Sequence, residues 1–146
     1  MTDPLNPYAA AYSYANLNGP GDARPTALQV LRDNDLLGKW TGRVAFVTGG
    51  TAGIGLETAR ALHATGADVY FTGRDLKKGQ AVADEILKDS PGSGKLEPIV
   101  MDMDSLDSVK EAARTFLAKS DRLNVLVNNA GTLPHSATNS SPLQKS

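Results

Sequence analysis

The stretch VAFVTGGTAGIGLETARALHATG, residues 44–66, restricts this chain more than any other. A short, largely apolar run, Val44 to Thr48, meets a cluster of glycines, and a helix-length segment follows at once. Unbroken apolar positions bounded by glycines describe a strand buried on both faces, the kind that sits inside a parallel sheet. Parallel neighbours need a long crossover, and GLETARALHATG supplies one as a helix stopped by Gly66.

The alternation then repeats. DVYFTG (68–73) reads as strand, DLKKGQAVADEILKD (75–89) as helix and SPGSGK (90–95) as loop. EPIVMD (97–102) is a third strand, SLDSVKEAARTFLAKS (105–120) a third helix and LNVLV (123–127) a fourth strand. Ser105 caps that helix, and Val109, Ala112, Ala113, Phe116 and Leu117 recur at helical spacing as one apolar stripe. The order β-α-β-α-β-α-β implies right-handed crossovers. It predicts an α/β fold: a doubly wound parallel sheet, incomplete at about four strands, with helices on both faces.

Outside this core the sequence is looser. Residues 1–25 are rich in Pro, Gly, Asn and Ala, with Tyr8, Tyr12 and Tyr14 scattered among them. So little apolar surface does not offset the ordering entropy, which predicts a mobile N-terminal arm with incidental tyrosines. Residues 26–42 predict a short helix and linker, the helix opening near Thr26 and carrying Leu28, Leu31 and Leu37 inward before Gly38. Residues 43–131 form the α/β domain. Residues 132–146, TLPHSATNSSPLQKS, contain Pro134 and Pro142 without an apolar period and read as an irregular tail.

Composition removes several function classes. A net charge of −1 gives no basic excess for nucleic acid. The absence of cysteine excludes disulfides and thiolate metal sites. The two histidines, His63 and His135, are too far apart for a paired metal motif, and no metal site is expected. His63 is expected at the surface of the first crossover helix, and His135 in the solvated tail. MTDPLNPYAA lacks the basic start and apolar core of a secretory signal, and no apolar run approaches the roughly 18 residues of a membrane span. The expectation is a soluble, cytoplasmic protein.

The chemistry concentrates in TGGTAGIG, Thr48 to Gly55. A strand that runs into glycines and then into a helix N-terminus leaves backbone N–H groups unpaired and pointing outward. The helix dipole adds partial positive charge there, so a pyrophosphate is the natural guest. Glycine lets that ligand approach the backbone closely.

The spacing Gly49-x3-Gly53-x-Gly55, followed by Asn128-Asn129-Ala130-Gly131, resembles the short-chain dehydrogenase/reductase family from about residue 43 through 131. PTALQVLRDNDLLGKWTGR and GLETARALHATGA resemble its retinol-dehydrogenase-like branch more narrowly. The resemblance implies a seven-stranded Rossmann sheet, of which residues 43–131 would be a partial NAD(P)-binding domain. It also implies hydride transfer between NAD(P) and an alcohol or carbonyl. Gly49, Gly53 and Gly55 match the diphosphate-binding glycines, with Thr51 and Ile54 where family members touch the cofactor. Asp102 matches the acid that hydrogen-bonds the adenine amino group; its alternative is a capping or solvated carboxylate. Asn128, Asn129 and Ala130 match residues that shape the cleft and hold the fourth strand, the asparagines either contacting cofactor or satisfying the turn.

Cofactor preference rests on the end of the second strand. Family members that use NAD place an acid there for the ribose hydroxyls. This chain aligns Gly73 with that acid and follows it with Arg74, whose guanidinium fork matches a 2′-phosphate. NADP is therefore expected, with NAD the second candidate. Asp75 opposes Arg74 if it turns inward and begins the next helix otherwise.

The family's catalytic serine and Tyr-x-x-x-Lys pair have no counterpart here. Four residues beyond Tyr8, Tyr12, Tyr14 and Tyr70 stand Tyr12, Asn16, Asn18 and Arg74. No catalytic residue is assigned. The expectation is a truncated cofactor-binding half of an NADP-dependent oxidoreductase, inactive alone. The alternative is a non-catalytic nucleotide-binding or interaction module. Without a fifth strand, 123–127 would leave an apolar edge open to self-association.

Overall fold

The computed structural model describes residues 6–131. A 3-10 turn at Tyr14–Asn16 and helix α1, Ala27–Asp33, precede the alternating core. The core runs β1 (Val44–Val47), α2 (Gly53–Ala64), β2 (Asp68–Gly73), α3 (Leu76–Asp89), β3 (Leu96–Val100), α4 (Leu106–Lys119) and β4 (Val125–Val127). All pairings are parallel, in the order β3-β2-β1-β4. The anticipated doubly wound, four-stranded α/β sheet is the observed one.

Alternation along β1 and β2 builds the two faces. Ala45, Val47, Val69 and Phe71 enter one core with Ala59 of α2 and Ala83 and Ile86 of α3. Val44, Phe46 and Tyr70 enter the other with Ile99 of β3 and Ala112 and Phe116 of α4. Phe116 meets Phe46 edge-on at 5.0 Å and Tyr70 at 5.3 Å. Each such pair contributes about 0.5–1.5 kcal/mol beyond its burial. The central strands are thus sealed on both sides, which explains their unbroken apolar sequence.

Several local expectations need correction. Helix α1 ends at Asp33, short of Gly38. Asp35 adopts φ 52°, its N–H donates to the Arg32 carbonyl, and that of Leu36 donates to the Leu31 carbonyl at 2.9 Å. This left-handed closing motif satisfies the last carbonyls, and a short Asp tolerates it better than most residues. The stripe on α4 is narrower than its spacing implies: Ala112 and Phe116 are buried, whereas Ala113 and Leu117 are exposed. His63 is not on the surface but wholly buried. Its Nε2 lies 2.8 Å from the Gly94 carbonyl and its Nδ1 2.6 Å from Ser90 Oγ. A carbonyl only accepts, so Nε2 donates to Gly94, and Nδ1 is hydrogen-bonded to the serine hydroxyl. The histidine fastens the α3–β3 loop to α2.

Tyr8 is not incidental either: its hydroxyl donates to Asp33 Oδ2 at 2.9 Å and ties the arm to α1. Further along, Asp22 accepts from Arg24 Nε at 2.8 Å and from the Asn18 and Arg24 amides. The Arg24 bond holds its carboxyl well below the usual carboxylate range. The first five residues of the arm and the whole 132–146 tail, with His135, lie outside the described residues.

Candidate functional site

The carboxyl ends of β2, β1 and β4 stand side by side, and the strand order changes direction between β1 and β4. In open α/β sheets that switch point opens a crevice for ligands. The loop Thr48–Ala52 leaves β1 here and enters α2.

Hydrogen bonds pin the loop from both flanks. On the β2 side, the Gly49 N–H donates to Thr72 Oγ1 at 3.0 Å and the Gly50 N–H to the Thr72 carbonyl at 2.9 Å. On the β4 side, the Asn129 and Ala130 N–H groups both donate to Thr48 Oγ1, at 3.0 and 2.9 Å. The Asn129 side-chain amide donates to the Thr48 and Gly49 carbonyls at 3.0 and 3.1 Å. Sequence reasoning missed Thr48 and Thr72 as site residues. Their shared signal is a threonine placed at the carboxyl end of an apolar run, where its hydroxyl meets the neighbouring loop.

Two of the motif glycines differ in what demands them. At Gly55 a Cβ would collide with the Gly49 carbonyl and the Asn129 side-chain amide, so the first turn of α2 can pass the loop only as glycine. At Gly53, φ is +56° and nothing lies within 4 Å of a Cβ. Its bare face therefore opens onto free space.

The amides of Thr51, Ala52, Gly53, Ile54 and Gly55 have no acceptor among the described residues, unlike those of Gly49 and Gly50. Ala52 occupies the N-cap and offers no side-chain acceptor. Five successive donors at the positive end of a helix match the demand of a diphosphate. The chain's own residues thus fit a dinucleotide.

The remaining candidates surround this cradle. Ile54 is 81% exposed at the start of α2, and Thr51 is half-buried against β2. Arg74 is exposed immediately after β2 and makes no ion pair among the described residues. Asp75 does not oppose it: it caps α3, its Oδ1 accepting from the Lys78 N–H at 3.1 Å. Asp102 lies two residues beyond β3, where its Oδ1 accepts from the Asp104 N–H at 3.1 Å. That carboxylate helps form the turn before α4, whose cap is Ser105. Asn128 is exposed, Ala130 is half-buried, and Asn129 is committed to the loop.

Known proteins resemble this chain in sequence and fold. The sequence model of the family described as short chain dehydrogenase matches residues 43–145, continuing past Gly131, where the resemblance was expected to end. The short-chain dehydrogenase/reductase prx1 of Penicillium rubens is 50% identical over 121 residues, covering 83% of this chain and 34% of that relative. Oxidoreductase calI of Penicillium decumbens is 50% identical over 129 residues, 87% of this chain and 37% of its own length. Retinol dehydrogenase 12 of Mus musculus is 41% identical over 99 residues, 66% and 31% of the two chains. A metagenomic short-chain oxidoreductase solved in complex with NADP superposes with a TM-score of 0.58 and 40% identity, over 64% of this chain and 41% of that one. The Pseudomonas aeruginosa RhlG/NADP active-site complex gives 0.58 and 36%, over 64% and 36%. The chain spans about a third of the length of the curated relatives it matches. With the match extending over most of its residues and the sheet order to go with it, the chain belongs to the short-chain dehydrogenase family.

Proposed function

We propose that this chain is the cofactor-binding part of an NADP-dependent oxidoreductase. The observation that carries it is the run of five amides, Thr51 to Gly55, without acceptors at the N-terminus of α2. Gly53 leaves open space beside them, Gly49 and Gly55 let the loop close against Ala130 and Asn129 so that the cradle keeps its shape, and Thr51 and Ile54 flank the diphosphate. Arg74 holds the 2′-phosphate through a bidentate fork, because position 73 offers no acid and Asp75 is engaged in capping α3. Asp102 keeps Oδ2 for the adenine amino group while Oδ1 serves its turn. Asn128 borders the cleft, and Asn129 and Ala130 position the loop. Two of the structural neighbours were solved with NADP, which supports this assignment over NAD.

A nicotinamide bound here would accept or deliver hydride, with an alcohol or carbonyl as the reaction partner. The whole protein's activity is proposed on that basis. The 146 residues contain no Tyr-x-x-x-Lys pair, so this stretch alone is a truncated half that binds without turnover. No helix among the described residues is long and apolar enough to cross a membrane, and we place the protein in the cytoplasm. Leu126 on β4 is 54% exposed, and this edge pairs with a second copy when nothing else covers it.

Calorimetric titration of the chain with NADP and NAD, alongside Arg74→Asp, tests the assignment. A charge-assisted pair of about 1.5–3 kcal/mol corresponds to roughly 10- to 150-fold tighter NADP binding, lost in the variant. Tighter NAD than NADP binding by the unsubstituted chain would reject it.

A further inference from the structure

Gly73 closes β2 with backbone angles open to any residue, so its conformation does not call for glycine. Thr51 does. A Cβ at position 73 would run into Thr51 Cγ2, while Thr51 Oγ1 and Cβ would stand at ordinary contact distances of 3.4 and 3.5 Å. A single methyl group therefore fills the place of the first atom of any side chain at 73. The loop carrying it has little freedom to retreat, because Thr72 holds the amides of Gly49 and Gly50. Rotation of the threonine is the remaining relief, and a β-branched side chain has few rotamers with which to make it.

We propose that Thr51 is a specificity-determining residue whose methyl keeps position 73 bare, so that no carboxylate is presented to the adenosine ribose from β2. An acid at 73 would accept from the ribose hydroxyls and repel a 2′-phosphate. With the methyl in place, such an acid has to displace the Thr51 side chain or the loop whose amides, from Thr51 onward, hold the diphosphate. Thr51 thus keeps the acid that would favour NAD out of position 73, and Arg74 adds the attraction for the phosphate. This inference rests on the assignment of the cleft as an NADP site.

Thr51→Ser deletes the methyl and keeps the hydroxyl, which makes a direct test. Melting temperatures are measured for the full chain, Gly73→Ala, Thr51→Ser and the double variant. Gly73→Ala is expected to lower the melting temperature by several degrees with Thr51 present and to have little effect in the Thr51→Ser background. Calorimetry with NADP and NAD then compares Gly73→Asp with Thr51→Ser/Gly73→Asp. The single variant is expected to bind both nucleotides poorly. The double variant should bind NAD at least about tenfold more tightly than the single one, the effect of one good charge-assisted hydrogen bond. Equal melting losses in the two backgrounds, or equal NAD affinity of the two aspartate variants, would overturn the role of Thr51. Failure of the unsubstituted chain to bind either nucleotide would instead remove the NADP site itself, and the specificity role with it.

Discussion

Asn129 and Thr48 bind each other twice. The Asn129 backbone N–H donates to Thr48 Oγ1, and its side-chain amide donates to the Thr48 carbonyl, both at 3.0 Å. The two residues stand 81 positions apart in sequence. Each contributes backbone and side chain, so the ends of β4 and β1 behave as one rigid unit beneath the candidate diphosphate cradle.

Replacing Asn129 by Asp keeps the shape and reverses the chemistry. A carboxylate would face the carbonyls of Thr48 and Gly49, which also accept only. The expected loss is about 1–3 kcal/mol, read as a lower urea midpoint at unchanged slope. Asn129→Ala should lose less than Asn129→Asp, because it removes the donor without adding repulsion. A midpoint for Asn129→Asp equal to that of the unsubstituted chain would show that the clamp carries no stability.

Gly53 and Gly55 should fail in different ways. At Gly53 an added methyl meets nothing, and its left-handed φ of +56° costs about 1–2 kcal/mol. Gly53 carries one of the five amides proposed to hold the diphosphate, so Gly53→Ala should fold and lose nucleotide affinity. At Gly55 the methyl collides with the Gly49 carbonyl and the Asn129 amide, so Gly55→Ala should lose stability as well, by about 1–3 kcal/mol. Thermal melting with and without NADP separates the two. Equal stabilisation of Gly53→Ala and the unsubstituted chain by the nucleotide would place the diphosphate elsewhere.

How far the sequence disclosed this site follows from the range of the interactions. Strand β2 was legible residue for residue because DVYFTG is bounded by local signals, and Ser105 was legible as a cap because its bond to the Ser108 N–H spans one helical turn. The Thr48–Asn129 and Thr72–Gly49 bonds were not, since nothing local records which distant amide a threonine will meet. His63 lay between these cases. It shares a four-residue spacing with the buried Gly55 and Ala59, a periodic signal that its polarity masked. On α4 the apolar stripe read from spacing is wider than the face the fold buries, since Ala113 and Leu117 are exposed and an exposed apolar residue is common.

His63 should therefore be a stability residue and not a chemical one. His63→Phe keeps a ring in the buried space but strands the Gly94 carbonyl and leaves the Ser90 hydroxyl with only its bond from the Gly92 N–H. A stranded group costs about 1–3 kcal/mol, so a marked fall in the urea midpoint is expected. Ser90→Ala, which removes one partner, should be milder. Hydrogen exchange across residues 90–95 should accelerate in both variants; unchanged exchange in His63→Phe would separate the histidine from the loop.

Tyr70 gives the fold an alkaline limit. Burial first, and then the charges of Glu97 and Asp68, raise its phenol above the ordinary value of 10.0, with Lys119 opposing. The folded chain thus keeps a proton that the unfolded chain releases, so the contribution is fully present below pH 10.0 and declines as pH rises through the folded value. Lys119 acts with the same sign: its bond to Glu97 at 2.6 Å raises its pKa above 10.5, and that stabilisation also fades at higher pH. Tyr8 shares the direction through its burial and its bond to Asp33. Tyr70→Phe preserves the ring against Phe116 and deletes only the ionisable group. Urea midpoints at neutral pH and about one unit above the ordinary tyrosine value should fall less in Tyr70→Phe than in the unsubstituted chain. Lys119→Met should flatten the remaining slope further. An identical fall in Tyr70→Phe would assign the alkaline limit to Lys119 and Tyr8 alone.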